Sequence, residues 1–143
     1  MTALRVPGSR RVHMKSDGTH RKRLVRGILD FDIDARLYVA PLTGVSQRHA
    51  RSKCLTRMVP DLLALGVSNL YLESCGQDAQ DRAVLGLARA QAGAPRVLHF
   101  DHRNPAHDPL LWIPDIIAWA WGRDSAWREQ VSGLVKGVLS VPT

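Results

Sequence analysis

Apolar positions along this chain switch between two periods, and the switches mark out its elements. Leu24, Val25, Ile28 and Leu29 fall at helical spacing, with His20, Arg21, Lys22, Arg23 and Arg26 on the other side. That pattern predicts a helix from a Ser16 or Asp17 cap to about Asp30. Ile33, Ala35, Leu37 and Val39 then alternate with Asp34, Arg36 and Tyr38, which predicts a strand over 33–40 with one buried face. From Ser46, the residues Ala50, Cys54, Met58 and Leu62 recur every four, and Leu55, Val59 and Leu65 widen the stripe. Pro60 lies inside this helix, lacks the N–H that would bond back along it, and predicts a kink or break near Val59.

Leu65-Gly66 closes that helix, and Val67–Gly76 follows as Val-Ser-Asn-Leu-Tyr-Leu-Glu-Ser-Cys-Gly. Its short apolar run between turn signals reads as a buried parallel strand over 67–73, ending on Glu73. A polar turn leads to a helix over about 77–91, with Val84, Leu85, Leu87 and Ala88 as its core side. Gly93 and Pro95 stop it, and Arg96–Asp101 alternates as the next strand. Pro114 suits the first turn of a helix that runs to about Gly122. Ser125 then caps a last amphipathic helix carrying Trp127, Val131, Leu134, Val135 and Val138. At the other end, 1–9 is a lead-in and Arg10–Met14 a short strand. Strands alternating with helices imply an α/β domain over 10–140, with a largely parallel central sheet flanked by helices.

A chain of 143 residues is one domain's worth, able to bury about two-thirds of its unfolded surface. The longest apolar stretch, Leu110–Trp121, holds Pro114 and Asp115 and is too short to span a bilayer, so no membrane partner is expected. Cys54 and Cys75 form no disulfide framework, which points to the reducing cytoplasm. Charge changes the picture more. Residues 1–60 carry 13 Lys/Arg against 4 Asp/Glu, a net +9, whereas residues 61–143 carry 7 against 9, a net −2. A one-ended basic field suits a polyanion, DNA or RNA first. Arg21, Lys22, Arg23 and Arg26 on the first helix, with Arg48 and Arg51 on the next, are the phosphate-binding candidates.

The acids invite a second reading. Glu73 ends a strand, where ligands of open α/β sheets bind. Asp115 is the only ionisable residue from Leu110 to Trp121 and stands at a helix start, where the dipole favours it. A strand-end acid and a helix-start acid are suited to sharing a divalent metal, magnesium above all, through hard oxygen ligands. Two weaker sites compete. Asp101, His102, His107 and Asp108, with His99 just before them, offer donors for zinc but match no established spacing. Cys75 follows a strand but lacks the surroundings of a nucleophile elbow. The tryptophans Trp112, Trp119, Trp121 and Trp127 gather near the C-terminus, as core or as stacking surfaces.

The runs Leu-Tyr-Leu-Glu-Ser and Pro-Leu-Leu-Trp-Ile-Pro-Asp-Ile-Ile-Ala, with Arg-Arg-Val-His-Met-Lys-Ser-Asp before a basic helix, carry a family likeness. They resemble actinobacterial members of a broad prokaryotic domain-of-unknown-function family with an RNase H-like fold, over roughly residues 9–130. Its members are similar in arrangement to Holliday-junction resolvases. The resemblance implies a nucleic-acid-binding protein and a nuclease dependent on Mg2+ or Mn2+, with Glu73 and Asp115 as acids and metal ligands. It adds His13 as the recurrent histidine of the site. The family's first acid, on a strand before the His-containing stretch, has no counterpart here, so binding with weak or absent cleavage is the expectation. The alternative is a non-catalytic protein-interaction component of a defence or toxin-type module, which a homodimer would accompany.

Overall fold

The computed structural model describes residues 21–143. The strand expected over 10–14, the Ser16 or Asp17 cap, His13 and His20 lie outside the described residues. The elements run α1 (Arg21–Leu29), β1 (Ala35–Val39), α2 (Gln47–Ala64), β2 (Asn69–Glu73), α3 (Asp78–Gln91), β3 (His99–Arg103), α4 (Trp112–Arg123), α5 (Ser125–Val131) and β4 (Val135–Ser140). The chain is α/β. Where one central sheet is expected, the described strands form two parallel pairs, β1 with β4 and β2 with β3. The described residues divide into two compact units, 21–37 with 103–137 and 38–102 with 138–143.

The first unit is built on α4. Ile116, Ile117 and Ala120 are buried, and against them pack Leu24, Val25 and Ile28 of α1, with Val131 and Leu134. The α1 stripe thus faces inward as its spacing predicts, except that Leu29 is exposed. Ile33, Ala35 and Leu37 border the same core, while Val39 at the end of that alternation is exposed. Trp119 and Trp127 meet edge to face at 5.0 Å, a favoured aromatic geometry, and pack on the cluster from outside.

The second unit packs α2 and α3 with the β2–β3 pair around Leu55, Val59, Leu72, Leu85, Ala88 and Leu98. Ser46 caps α2 by accepting from the His49 N–H. Of the kink or break expected near Val59, the break does not occur: the helix is continuous through Pro60. A proline removes one backbone bond, whereas Leu55 and fully buried Val59 hold the same stretch in the core. Both α2 and α3 end on a glycine in the left-handed region. Gly66 has φ 74° and Gly93 has φ 73°. In each, two N–H groups turn back onto the last carbonyls, Gly66 to Leu63 with Val67 to Leu62, and Gly93 to Ala90 with Ala94 to Arg89.

Those caps shift the strands from their expected limits. Val67 is tied to the end of α2, so β2 starts at Asn69; of its side chains only Leu72 is buried, and Tyr71 is exposed, so the strand is not the buried one expected. Residues 95–97 form a turn, and β3 begins at His99 rather than Arg96. Leu87, read as core, is exposed. The largest departure is at the C-terminus. Asp124, not Ser125, caps α5 through the Trp127 N–H, and the helix stops at Val131. Val135–Ser140 is a strand, with β-branched Val135 and Val138 that suit pairing better than a helix. Its register is fixed by Ala35 N–H to Leu134 O at 2.9 Å and Val141 N–H to Val39 O at 2.8 Å.

Truncating a fully buried side chain in either unit should be expensive. Ile116→Ala and Leu85→Ala are each expected to cost about 2–5 kcal/mol, read as a shift in the urea unfolding midpoint.

Candidate functional site

The second unit gathers charge where β2 and β3 end and α3 begins. After Glu73 the chain turns through Ser74–Gln77, and Asp78 closes the turn. Its Oδ1 accepts from the Cys75 N–H at 2.7 Å and its Oδ2 from the Ser74 hydroxyl at 2.5 Å. These two bonds hold the Asp78 carboxyl below the usual aspartate range. One turn on, Asp81 is only 2% exposed. Arg51 of α2 grips it with both arms of its guanidinium, Nε to Oδ1 at 3.0 Å and Nη2 to Oδ2 at 2.8 Å. His102 of β3 brings Nε2 to 3.1 Å from Asp81 Oδ2 and to 3.7 Å from Asp78 Oδ1. Burial would push the Asp81 carboxyl up, but the bonds from Arg51 and His102 outweigh it and hold the group below its ordinary value. The same bond raises the Arg51 guanidinium. A second tie, Gln80 Nε2 to Ser52 Oγ at 3.1 Å, runs beside it between α3 and α2.

Asp81 escaped the sequence reading, although a signal existed. Counting 81, 85 and 88 along α3 places it on the stripe of Leu85 and Ala88, a carboxylate among core positions. Its partners could not be read that way, because Arg51 and His102 come from other elements.

The expected site residues fall as follows. Glu73 is the last residue of β2, half-buried in the second unit, and Asp115 stands in the first turn of α4, 3% exposed in the first unit. His13 lies outside the described residues. Among the described residues, the metal-type donors that converge are Cys75, Asp78 and Asp81, within 4.8 Å of one another. Neither Glu73 nor Asp115 belongs to that set. A thiol suits zinc and softer ions rather than magnesium, and Arg51 already occupies both oxygens of Asp81. This set therefore does not fit the Mg2+ or Mn2+ that the family resemblance implies.

The run from His99 to Asp108 does not form one metal cluster. His102 turns to Asp81, whereas Asp108 caps the short helical turn Pro109–Leu111 and pairs with Arg103 at 3.3 Å. His107 lines an open pocket with Arg103, Asn104, Asp108 and Leu110. Of the phosphate-binding candidates, Lys22, Arg23 and Arg26 on α1 are exposed, and α1 contains no acid. Arg48 on α2 is also exposed. Arg21 and Arg51 depart from expectation: Arg21 is half-buried over the Trp119 ring at 4.8 Å, and Arg51 is engaged with Asp81.

Comparison with protein-family models, curated proteins and solved structures finds no match to this chain. No helix among the described residues is long and apolar enough to cross a membrane.

The Asp81 cluster makes a testable stability claim. Asp81→Ala is expected to cost about 2–3 kcal/mol, below the ~3–5 kcal/mol of a fully buried pair because Arg51 keeps a third of its side chain in water. The pH dependence has a definite sign. A carboxyl held below its unfolded value stabilises the fold above about pH 3.9, and that contribution is lost as pH falls through the depressed folded value. Thermal midpoints measured from pH 6 to pH 2 should therefore drop steeply below about 4 in the native chain. In Asp81→Asn the midpoint should start lower and fall less across the same interval.

Proposed function

We propose that this protein binds nucleic acid by contacting backbone phosphates, with an RNase H-like arrangement as the fold it elaborates. The observation that carries the reading is the outer face of α1. Lys22, Arg23 and Arg26 are exposed there, lie three and four residues apart on one side, and pair with no carboxylate among the described residues. A helix face of that kind, with four cations and no acid in nine residues, is costly in self-repulsion and is relieved by a polyanion. The +9 balance of residues 1–60 extends the same field.

Metal-dependent cleavage would come through Glu73 and Asp115 under the family resemblance, in a reducing cytoplasmic setting. Cleavage of single-stranded, duplex or branched substrates with Mg2+ or Mn2+, abolished by Glu73→Gln and by Asp115→Asn, would add a nuclease activity. Cleavage that survives both substitutions would exclude that assignment.

Binding itself is tested by salt. For a duplex, the logarithm of affinity should fall linearly with the logarithm of salt, with a slope of about −0.9 per phosphate neutralised. The variant Lys22→Glu/Arg23→Glu/Arg26→Glu should lose about 2–3 from the magnitude of that slope and weaken binding at every sequence alike. Its thermal midpoint should stay near that of the native chain, since all three side chains are exposed. Absence of binding to DNA and RNA at low salt would overturn the reading in favour of a protein-interaction role.

A further inference from the structure

The second unit carries a cationic helix face of its own. On α2, Arg48, Lys53 and Arg57 are all exposed. Arg48 heads the four-residue row of Ser52 and Thr56, and Lys53 with Arg57 forms the row beside it, so the three cations border the exposed half of the helix. From Gln47 to Pro60 the helix holds four Arg/Lys residues and no acid. Arg51, the fourth, is turned to Asp81. Arg57 meets Asp61 at 2.7 Å through Nη1 alone, which leaves Nε and Nη2 of its guanidinium for another acceptor. Arg48 and Lys53 pair with no carboxylate among the described residues.

The two long helices of this unit treat their N-terminal ends in opposite ways. α3 opens with Asp78 and Asp81, acids where the positive end of the helix dipole favours them. α2 has no acid in its first turn and places Arg48 there, against the same dipole. Lys53 and Arg57, one turn apart, add like-charge repulsion. An acid at position 48 would serve the helix better, so the arrangement is electrostatically unfavourable until an anion arrives. From Arg48 to Arg57 the helix rises about 14 Å, at about 1.5 Å per residue. A lone phosphate reaches one end of that span, whereas successive phosphates of a backbone reach both.

We infer that the exposed face of α2 is a second phosphate-contact surface, on which Arg48, Lys53 and Arg57 hold successive phosphates of a nucleic-acid backbone. This rests on the nucleic-acid reading above and adds to it a site in the other unit. Each unit then contacts the backbone through a helix face of its own.

The test measures binding of the full chain to a mixed-sequence DNA duplex across a salt series, for the native chain, for Arg48→Glu/Lys53→Glu and for Arg82→Glu/Arg96→Glu. Both variants change net charge equally, and Arg82 and Arg96 are exposed in the same unit but off α2. Arg48→Glu/Lys53→Glu should lose about 1–2 from the magnitude of the salt slope and bind about tenfold more weakly at low salt. Arg82→Glu/Arg96→Glu should keep the native slope and stay within about twofold of native affinity. Arg48→Glu puts an acid in the first turn of α2, so the thermal midpoint should not fall. If the α2 variant nevertheless unfolds, Arg48→Gln/Lys53→Gln is read in its place and should lose slope in the same direction. Equal weakening by the α2 and Arg82/Arg96 variants would show that binding follows net charge; it overturns this inference, while the α1 reading stands or falls on its own variant. Polyglutamate, or inorganic phosphate at constant ionic strength, binding as tightly as the duplex overturns it too. No binding of the native chain to DNA or RNA overturns both.

Discussion

Removing a carboxylate from water costs several kcal/mol unless its charge is met at short range, and this constraint organises the second unit. Asp81 is inside, so something must answer it on every open side. Arg51 of α2 answers with two parallel bonds and His102 of β3 with one, which brings α2, α3 and β3 to a common point. Apolar packing of Leu55, Val59, Leu85 and Leu98 brings the same elements together. The bidentate guanidinium adds a directional contact to it. The pair is thus better understood as fixing geometry than as adding net stability, since burial offsets much of its attraction.

The same cluster explains why convergence of donors is a poor guide to metal sites in this chain. Cys75, Asp78 and Asp81 approach one another because a turn is being closed and a buried acid is being neutralised. Each close contact has a local cause. The cation such a set would attract is already present as the Arg51 side chain.

Charge is handled oppositely on α1. There the apolar residues Leu24, Val25 and Ile28 sink into the core, while Lys22, Arg23 and Arg26 beside them are exposed and Arg21 lies over the Trp119 ring. Repulsion among Lys22, Arg23 and Arg26 is tolerated because solvent and salt screen it at the surface. Buried Asp81 is met by Arg51 and His102, whereas Lys22, Arg23 and Arg26 stand exposed on a helix without acids. That contrast supports a polyanionic partner more directly than total charge does.

Much of the fold was legible in the chain because helix spacing and glycine placement are local signals. The stripes Leu24-Val25-Ile28 and Ala50–Leu62 located α1 and α2, Ser46 and its capped helix start could be read directly, and Gly66 and Gly93 marked where α2 and α3 end. The strand of Ile33, Ala35 and Leu37 was visible as alternation, as was the candidacy of Lys22, Arg23 and Arg26. Decisions between elements were not legible. Val131, Leu134, Val135 and Val138 fit a helical period equally well, and only pairing with β1 makes Val135–Ser140 a strand. Whether Pro60 breaks α2 depended on how firmly Val59 is buried. The roles of Arg51, Asp81 and His102 are 30 and 21 residues apart in the chain, and no local period reports a bond across such distances. A periodic pattern shows which side of an element faces inward; only the folded chain decides what it meets there.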